Sequence, residues 1–375
     1  MSAAEELAAL LAKEVGVSDN KQTVINWIDT GFPNLNYILS GRHNGGLAFG
    51  RLYEFYSPSS AGKTALAVQI MIEAQRMGGI AIFEDYERTF EVTVAESNGL
   101  NTQSPFWLYK RPKTWEEGND HAIKSVSVIR RSKLLPPDAP IIVVQDSIAA
   151  AVPQSMLEKT LAELNMNDNT AMSRVMSTTL KKINTAAEEF DTTFVFLNQI
   201  RTKPGVLHGD PTTTPGGNAM EFYASGRLSL ARTRIMSDGR EKEMLGQLIK
   251  AKCVKSKHTR PFQNADLYMT FDLNNMAIFD HIETLVEYLV KIGAIEQSGN
   301  RIKWDGKLYY KSQIIEALKR ARNGKTKLMN ILAVWDEEQE RKREEEERKR
   351  REEEEKARLE EEEEKKSSSK KDKAV

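Results

Sequence analysis

Arg51 to Ala65 reads RLYEFYSPSSAGKTA, and the fold class follows from the change of character at Ser57. Leu52 to Tyr56 is a short apolar and aromatic run with one acid inside it, as expected of a strand buried in a sheet. Ser57 to Gly62 carries no bulky aliphatic side chain, and a helix is predicted from Ala65 on. Strand, small-residue loop and helix in this order are the context that a Walker A loop, G-x-x-x-x-G-K-[ST], requires. Backbone N–H groups of such a loop and of the helix N-terminus point at one anion, while Lys63 neutralises the β and γ phosphates and Thr64 ligates magnesium. Ser59, Ser60, Ala61, Gly62, Lys63, Thr64 and Ala65 are therefore the expected nucleotide-binding residues, with ATP and Mg2+ as cofactors. The first glycine of the pattern is replaced by Ser57, a position that shapes the entry turn; by itself, a Ser-rich turn competes with this reading.

Further along the chain, Ile141 to Val144 is a second buried run, ending in Gln145-Asp146-Ser147. This is a Walker B arrangement, in which Asp146 would hold the magnesium through water; the competing reading is a helix N-cap. A third run, Ile80 to Phe83, ends in Glu84-Asp85-Tyr86-Glu87-Arg88. A carboxylate there can act as general base for a water aimed at the γ phosphate, and the residues alone leave Glu84, Asp85 and Glu87 open. A fourth run, Phe194 to Leu197, stops at Asn198-Gln199, and Arg201 to Gly217 follows, rich in Gly, Pro and Thr and too long for an ordinary connection. Strands that deliver polar side chains to one carboxyl edge make a ligand site there.

The run NQIR at 198–201, TTPGGNA at 213–219 and FYAS at 222–225 closely resemble the second DNA-binding loop of RecA-type recombinases and its flanks. Among the three acids, the resemblance implies Glu87 as the base. It implies Gln199 as the γ-phosphate sensor, a side chain whose backbone continues into the loop. Lys255 and Lys257, on one face of a strand-like stretch, would reach a neighbouring subunit's ATP; read alone, they suit an edge strand defended by lysines. Glu91 matches an acid near the adenine, and Val94 stands where the family has a stacking tyrosine.

Non-specific binding of a DNA strand needs cations and backbone donors rather than base-edge readers. Arg201, Lys203, Gly216, Gly217 and Asn218 supply them in the second loop. Arg174, Ser177 and Lys181 share one face of the helix 171–188 that follows the polar segment 154–170, which resembles the first DNA loop poorly. The family's base-separating methionine falls near Asn169, with Met166 close by, and Pro204 stands where the family has an aliphatic wedge in the second loop.

Composition bounds the remainder. The 375 residues are 40% apolar, enough for a sizeable core. A single cysteine, Cys253, excludes an internal disulfide framework and suits a reducing cytoplasm. No apolar run approaches the roughly 18 residues of a membrane span. Net charge is zero but uneven: 336–366 has 17 acidic and 11 basic residues, a net of −6, whereas 280–335 has 10 basic and 6 acidic, a net of +4.

The expected architecture is α/β: a RecA-type P-loop ATPase core with a mostly parallel sheet at 25–279. A short amphipathic N-terminal helix and linker at 1–24 precede it; packing on its own core competes with packing on a neighbouring subunit, and the resemblance implies the neighbour and hence a role in oligomerisation. A small α+β, DNA-binding domain at 280–335 and a charged tail, helical or disordered, at 336–375 follow. The resemblance implies an ATP-dependent recombinase that forms helical filaments on single-stranded DNA, searches duplex DNA for homology and hydrolyses ATP when DNA is bound. Ser57 and the short N-terminus suit a divergent, phage-encoded member acting in a bacterial cytoplasm. A hexameric helicase-type motor is the alternative, and a non-catalytic scaffold is disfavoured by Lys63, Glu87 and Asp146.

Overall fold

The computed structural model describes residues 6, 10, 13, 26–163, 170–202, 212–236, 243–272 and 276–371. The chain divides into two compact units, Met1–Ala265 with Phe271–Ile278 and Asp266–Thr270 with Phe279–Val375. Of the predicted N-terminal helix, residues 6, 10 and 13 are described and all are helical.

Seven strands of the first unit are β1 (Leu52–Ser57), β2 (Ile80–Asp85), β3 (Trp107–Lys110), β4 (Ile141–Asp146), β5 (Thr192–Gln199), β6 (Gly226–Met236) and β7 (Met244–Ser256). They lie side by side in the order β7-β6-β1-β5-β4-β2-β3. From β6 to β3 every neighbouring pair is parallel, and only β7 runs antiparallel to β6. This is the mostly parallel sheet that the apolar runs predict: parallel strands covered on both faces have no polar face to alternate with. β2 and β4 are buried throughout, and Ile82, Val143, Phe194 and Phe196 form the core with Trp115, Met176 and Leu180.

Three helices bear on the site: α1 (Lys63–Arg76), α2 (Trp115–Ser132) and α3 (Ala171–Glu189). α2 starts where Thr114 Oγ1 accepts the backbone N–H of Glu117 at 3.1 Å, with Glu116 and Glu117 in the first turn and Arg130 and Arg131 in the last. Both charge placements favour the helix dipole.

Register, more than any single contact, assembles the site. Ser57 is paired with Gln199 across β1 and β5, and Asp85 with Asp146 across β2 and β4. Because these strands are parallel, all four residues reach the same carboxyl edge.

In the second unit, the helices His281–Lys291 and Lys311–Arg320 enclose Leu285, Val286, Leu289, Ile302 and Ile315. Asp280 caps the first of them, accepting the Glu283 N–H at 2.9 Å, and pairs with Lys319 at 2.6 Å. The strands Gln297–Ser298, Arg301–Trp304 and Lys307–Tyr310 form two successive hairpins. Gly299, at φ +58°, turns the first without the steric cost a side chain would carry.

One helix, Gly324–Lys371, then runs through the boundary expected at Trp335. Its opening turns bury Leu328 and Leu332 in the unit's core, whereas most residues from Glu337 to Lys356 are exposed and joined by i,i+4 pairs such as Lys349–Glu345 (2.8 Å) and Arg350–Glu354 (3.4 Å). Core burial starts the helix, and charge pairing continues it. Among the described residues, no helix is long and apolar enough to cross a membrane.

Candidate functional site: a P-loop beside a DNA-loop junction

The loop between β1 and α1 turns at Gly62, whose φ is +89° and whose missing Cβ would lie 2.3 Å from Ile249 Cδ1. Conformation and space both demand glycine there. Ser59 and Ser60 are exposed at the loop's outer edge, Ala61 is buried, and Thr64 and Ala65 open α1 behind Lys63. Lys63 Nζ donates to Ser57 Oγ at 2.9 Å and to the Pro58 carbonyl at 3.2 Å. The first contact is one a glycine at position 57 cannot make. Burial holds the Lys63 ammonium below the usual lysine range, although nearby Asp146 and Glu87 pull it up. A partly desolvated cation beside a helix N-terminus is suited to a polyanionic ligand.

Thr64 Oγ1 donates to Asp146 Oδ2 at 2.7 Å, which brings the two expected magnesium ligands together. Burial pushes the Asp146 carboxyl up to about 6, with the Thr64 hydrogen bond acting against it and Glu87 with it. A hydroxyl and a carboxylate are the hard oxygen donors that Mg2+ takes, and it completes its octahedron with water and phosphate oxygens. The donor set present thus fits that ion. No group of three or more His, Cys, Asp or Glu side chains placed to hold a metal ion by themselves occurs among the described residues.

The three acids after β2 separate by contact. Glu84 is fully buried against α2, with Oε1 2.6 Å from His121 Nδ1. Asp85 accepts the backbone N–H groups of Arg88 (2.6 Å) and Phe90 (3.3 Å) and the Tyr109 hydroxyl (2.8 Å), so it is spent on holding the turn. Glu87 alone faces the loop residues: its Oε1 accepts from Ser147 Oγ at 2.5 Å and from Gln199 Nε2 at 3.2 Å. Base and sensor as expected from sequence are therefore in direct contact. Glu91 opens the short helix Val92–Ser97, in which Val94 takes part.

Beyond Gln199, Arg201 is exposed and pairs with Thr213, and Thr202 pairs with Thr212. Lys203 and Pro204 lie outside the described residues, as do Met166 and Asn169. Gly216 and Gly217 have φ of +96° and +70°; a Cβ on the first would meet Met176 Sδ at 2.2 Å and one on the second Ser173 Oγ at 3.2 Å. The glycine turn thus packs directly on α3. Asn218 stands at the N-cap position of the helix Ala219–Tyr223, with no hydrogen bond from its side chain to the first turn. Arg174, Ser177 and Lys181 are exposed on α3, the first two adjacent in sequence to that contact and the third little more than a turn beyond it. Elements from both expected DNA loops consequently meet.

Lys255 Nζ donates to the carbonyls of Glu221 and Phe222, at 2.5 and 3.1 Å, closing the C-terminal end of the helix Ala219–Tyr223. Burial lowers its pKa, aided by Lys257 and Arg227. Lys257 is exposed, and its backbone N–H donates to the Ser225 carbonyl at 2.8 Å.

The family model of the RecA N-terminal domain matches residues 12–274. The chain belongs to the RecA family. Curated relatives agree. The chain is 36% identical over 262 residues to Protein RecA of Desulforapulum autotrophicum, which covers 70% of each protein. It is 32% identical over 318 residues to Protein RecA of Colwellia psychrerythraea (84% of this chain, 86% of the relative) and 34% over 314 residues to that of Bacteroides thetaiotaomicron (80% and 88%). All three relatives are bacterial, and the expectation of a phage origin finds no support in them.

Within this RecA-family core, sequence reasoning missed two sets of residues. One is Ser147, whose hydroxyl donates to Glu87. The other is a buried chain: Asn198 Nδ2 donates to Glu54 Oε1 (2.8 Å) and to the Pro215 carbonyl (3.0 Å), and Glu54 Oε2 pairs with Arg227 Nε at 2.6 Å. It ties β1, β5, β6 and the end of the second loop together. The signal that could have found it is Glu54, an acid inside a buried run, which cannot stay charged there without a partner.

Glu84 gives a pH dependence that this core should display. Burial raises its carboxyl from 4.5 to about 8, while burial lowers His121, so the pair is neutral at pH 7 rather than ionic. A raised acid binds a proton in the folded state that the unfolded chain has released. Its stabilisation is fully present below pH 4.5 and is lost as pH rises toward 8. Glu84→Gln should therefore gain on the wild type by a few degrees of Tm (~3–5 °C) between pH 5 and 8. Parallel Tm–pH curves for the two proteins would exclude this protonation.

Proposed function

We infer that this chain is a DNA-dependent ATPase that forms helical filaments on single-stranded DNA and exchanges it into homologous duplex. The reading is carried by one observation: Gln199 touches Glu87 on one side and begins the chain segment of the second loop on the other. Lys63 and the loop N–H groups would bind the β and γ phosphates, with Thr64 and Asp146 holding Mg2+. When bound, that ion would neutralise charge on the transferring phosphoryl group. Glu87 would take a proton from the attacking water.

Gln199 has one amide and two acceptors to serve, Glu87 and the γ phosphate. Transfer to the phosphate in the ATP state would pull the start of the second loop toward its DNA-binding arrangement, and loss of the phosphate would reverse it. Arg174, Ser177, Lys181, Arg201, Lys203, Gly216, Gly217 and Asn218 would meet the strand through its phosphates. Electron microscopy with single-stranded DNA and a slowly hydrolysed ATP analogue tests this: open helical filaments are expected, and closed rings would favour a helicase-type motor instead.

Lys255 and Lys257 would complete a neighbour's site, as a cation supplied in trans. Lys255→Ala and Lys257→Ala should each lose DNA-stimulated hydrolysis. Mixing either with Glu87→Gln should restore part of it, since some interfaces then combine intact lysines with an intact glutamate. No recovery in well-mixed filaments would place the lysines elsewhere, and the cap on the helix Ala219–Tyr223 would remain the role of Lys255.

The tail has a separate test. With −6 on 336–366 and +4 on 280–335, it would compete with duplex DNA for the basic surface. Deleting everything after Trp335 should strengthen duplex binding at low salt. The gain should fade as the screening length drops to about 8 Å at physiological ionic strength. Equal affinities at low salt would leave the tail without a gating role.

A further inference from the structure

The carboxylate of Glu87 has two oxygens, and both donors that reach it converge on the same one. Ser147 Oγ and Gln199 Nε2 lie 2.5 and 3.2 Å from Oε1. The described residues place no donor on Oε2. We propose that Ser147 is a positioning residue for hydrolysis: its hydroxyl holds Oε1 of Glu87 and leaves Oε2 as the oxygen that receives the proton of the attacking water. The inference rests on the reading of Glu87 as the base.

The two donors differ in what fixes them. Gln199 is expected to leave Glu87 for the γ phosphate, so it cannot orient the base during the reaction. Ser147 has no such freedom. It is fully buried; its carbonyl accepts the N–H groups of Ala150 and Ala151 at 3.0 and 3.2 Å, and the next residue, Ile148, donates its N–H to the Leu197 carbonyl at 3.0 Å. Glu87 is anchored to the same place, since its own backbone N–H donates to the Asp146 carbonyl at 3.2 Å. Base and hydroxyl thus hang from consecutive residues at the end of β4, and a group whose support is rigid holds its geometry through the reaction.

An oxygen that already accepts a strong hydrogen bond is the poorer proton acceptor of the two, which directs transfer to Oε2. In the step itself an O–H bond of water breaks and its proton goes to Oε2. The water oxygen bonds to the γ phosphorus, and the bond from that phosphorus to the β–γ bridging oxygen breaks, its electron pair leaving on ADP. The proton on Glu87 then passes to phosphate or solvent.

The test is DNA-stimulated ATP hydrolysis, with kcat and KM read separately, in Ser147→Ala and Ser147→Thr. The alanine variant should lose roughly ten- to a hundred-fold in kcat, because the base is no longer held in line, with KM for ATP and analogue-dependent assembly on single-stranded DNA unchanged. Threonine keeps the hydroxyl and should recover most of the rate. Wild-type kcat in Ser147→Ala, or a lowered kcat that Ser147→Thr does not restore, overturns the proposal. Should Ser147→Ala fail to assemble, Ser147→Cys, with its weaker donor, takes its place: a reduced kcat at unchanged KM supports the proposal, and wild-type kinetics overturn it. Glu87→Gln separates the two readings. If it hydrolyses ATP at the wild-type rate, the base assignment itself is wrong; if it is inactive while Ser147→Ala behaves as wild type, only the positioning role fails.

Discussion

Glu87→Gln should lower DNA-stimulated ATP hydrolysis about a thousandfold, the size of effect that loss of a general base produces, while leaving nucleotide and DNA binding intact. The amide oxygen can still accept from Ser147 Oγ and Gln199 Nε2, which contact Oε1 in the wild type. What disappears is the capacity to take a proton from water. Filaments formed by this variant should persist long after the wild type has disassembled. Steady-state hydrolysis and filament lifetime measure both halves. The neighbouring acids supply the controls. Asp85→Asn should lose stability, because Asp85 accepts two backbone N–H groups and the Tyr109 hydroxyl, and Glu84→Gln should hydrolyse ATP normally. If Glu84→Gln or Asp85→Asn were the folded, ATP-binding, hydrolysis-dead protein, the base would be that residue instead.

Lys63→Ala should weaken ATP binding by about a hundredfold, close to 3 kcal/mol, and with it abolish nucleotide-dependent assembly. The ammonium sits in a buried slot between Ser57 Oγ and the Pro58 carbonyl. Burial makes the slot costly for a cation and lowers the Lys63 pKa. A triphosphate relieves that cost, and alanine offers it nothing. Lys63→Arg should not rescue, since a planar guanidinium is a different shape from a compact ammonium. Titration with a fluorescent ATP analogue decides the matter: a Kd within threefold of wild type in Lys63→Ala would refute the phosphate-binding role.

Much of this site was legible because each part is local. A buried run followed by a polar terminus announces a strand end, so Lys63, Thr64, Asp146 and Gln199 could be proposed from short stretches, and parallel register brings those ends to one edge. The choice of Glu87 over Glu84 and Asp85 needed more. Family resemblance pointed to it, and the contacts of the three acids differ in the way that choice requires. What the sequence could not disclose depends on residues distant along the chain. Glu54 and Arg227 are 173 residues apart, and the grip of Lys255 on the helix Ala219–Tyr223 involves carbonyls that carry no side-chain signal. The helical tail was readable from its alternating charge blocks, but its start was not. The change of composition at Trp335 marks where burial ends, whereas the backbone hydrogen bonding continues through it from Gly324.

That uninterrupted helix has a thermodynamic consequence. From Glu337 to Lys356 it shelters almost no apolar surface, so the melting of that stretch adds little to the heat capacity of unfolding. A helix held mainly by its own hydrogen bonds and charge pairs frays from the free end inward and loses turns gradually. On heating, helical ellipticity should therefore decline in a broad slope well before any sharp calorimetric peak from the folded units. Added salt, by weakening the glutamate–lysine and glutamate–arginine pairs, should steepen the slope and leave the peak almost where it was.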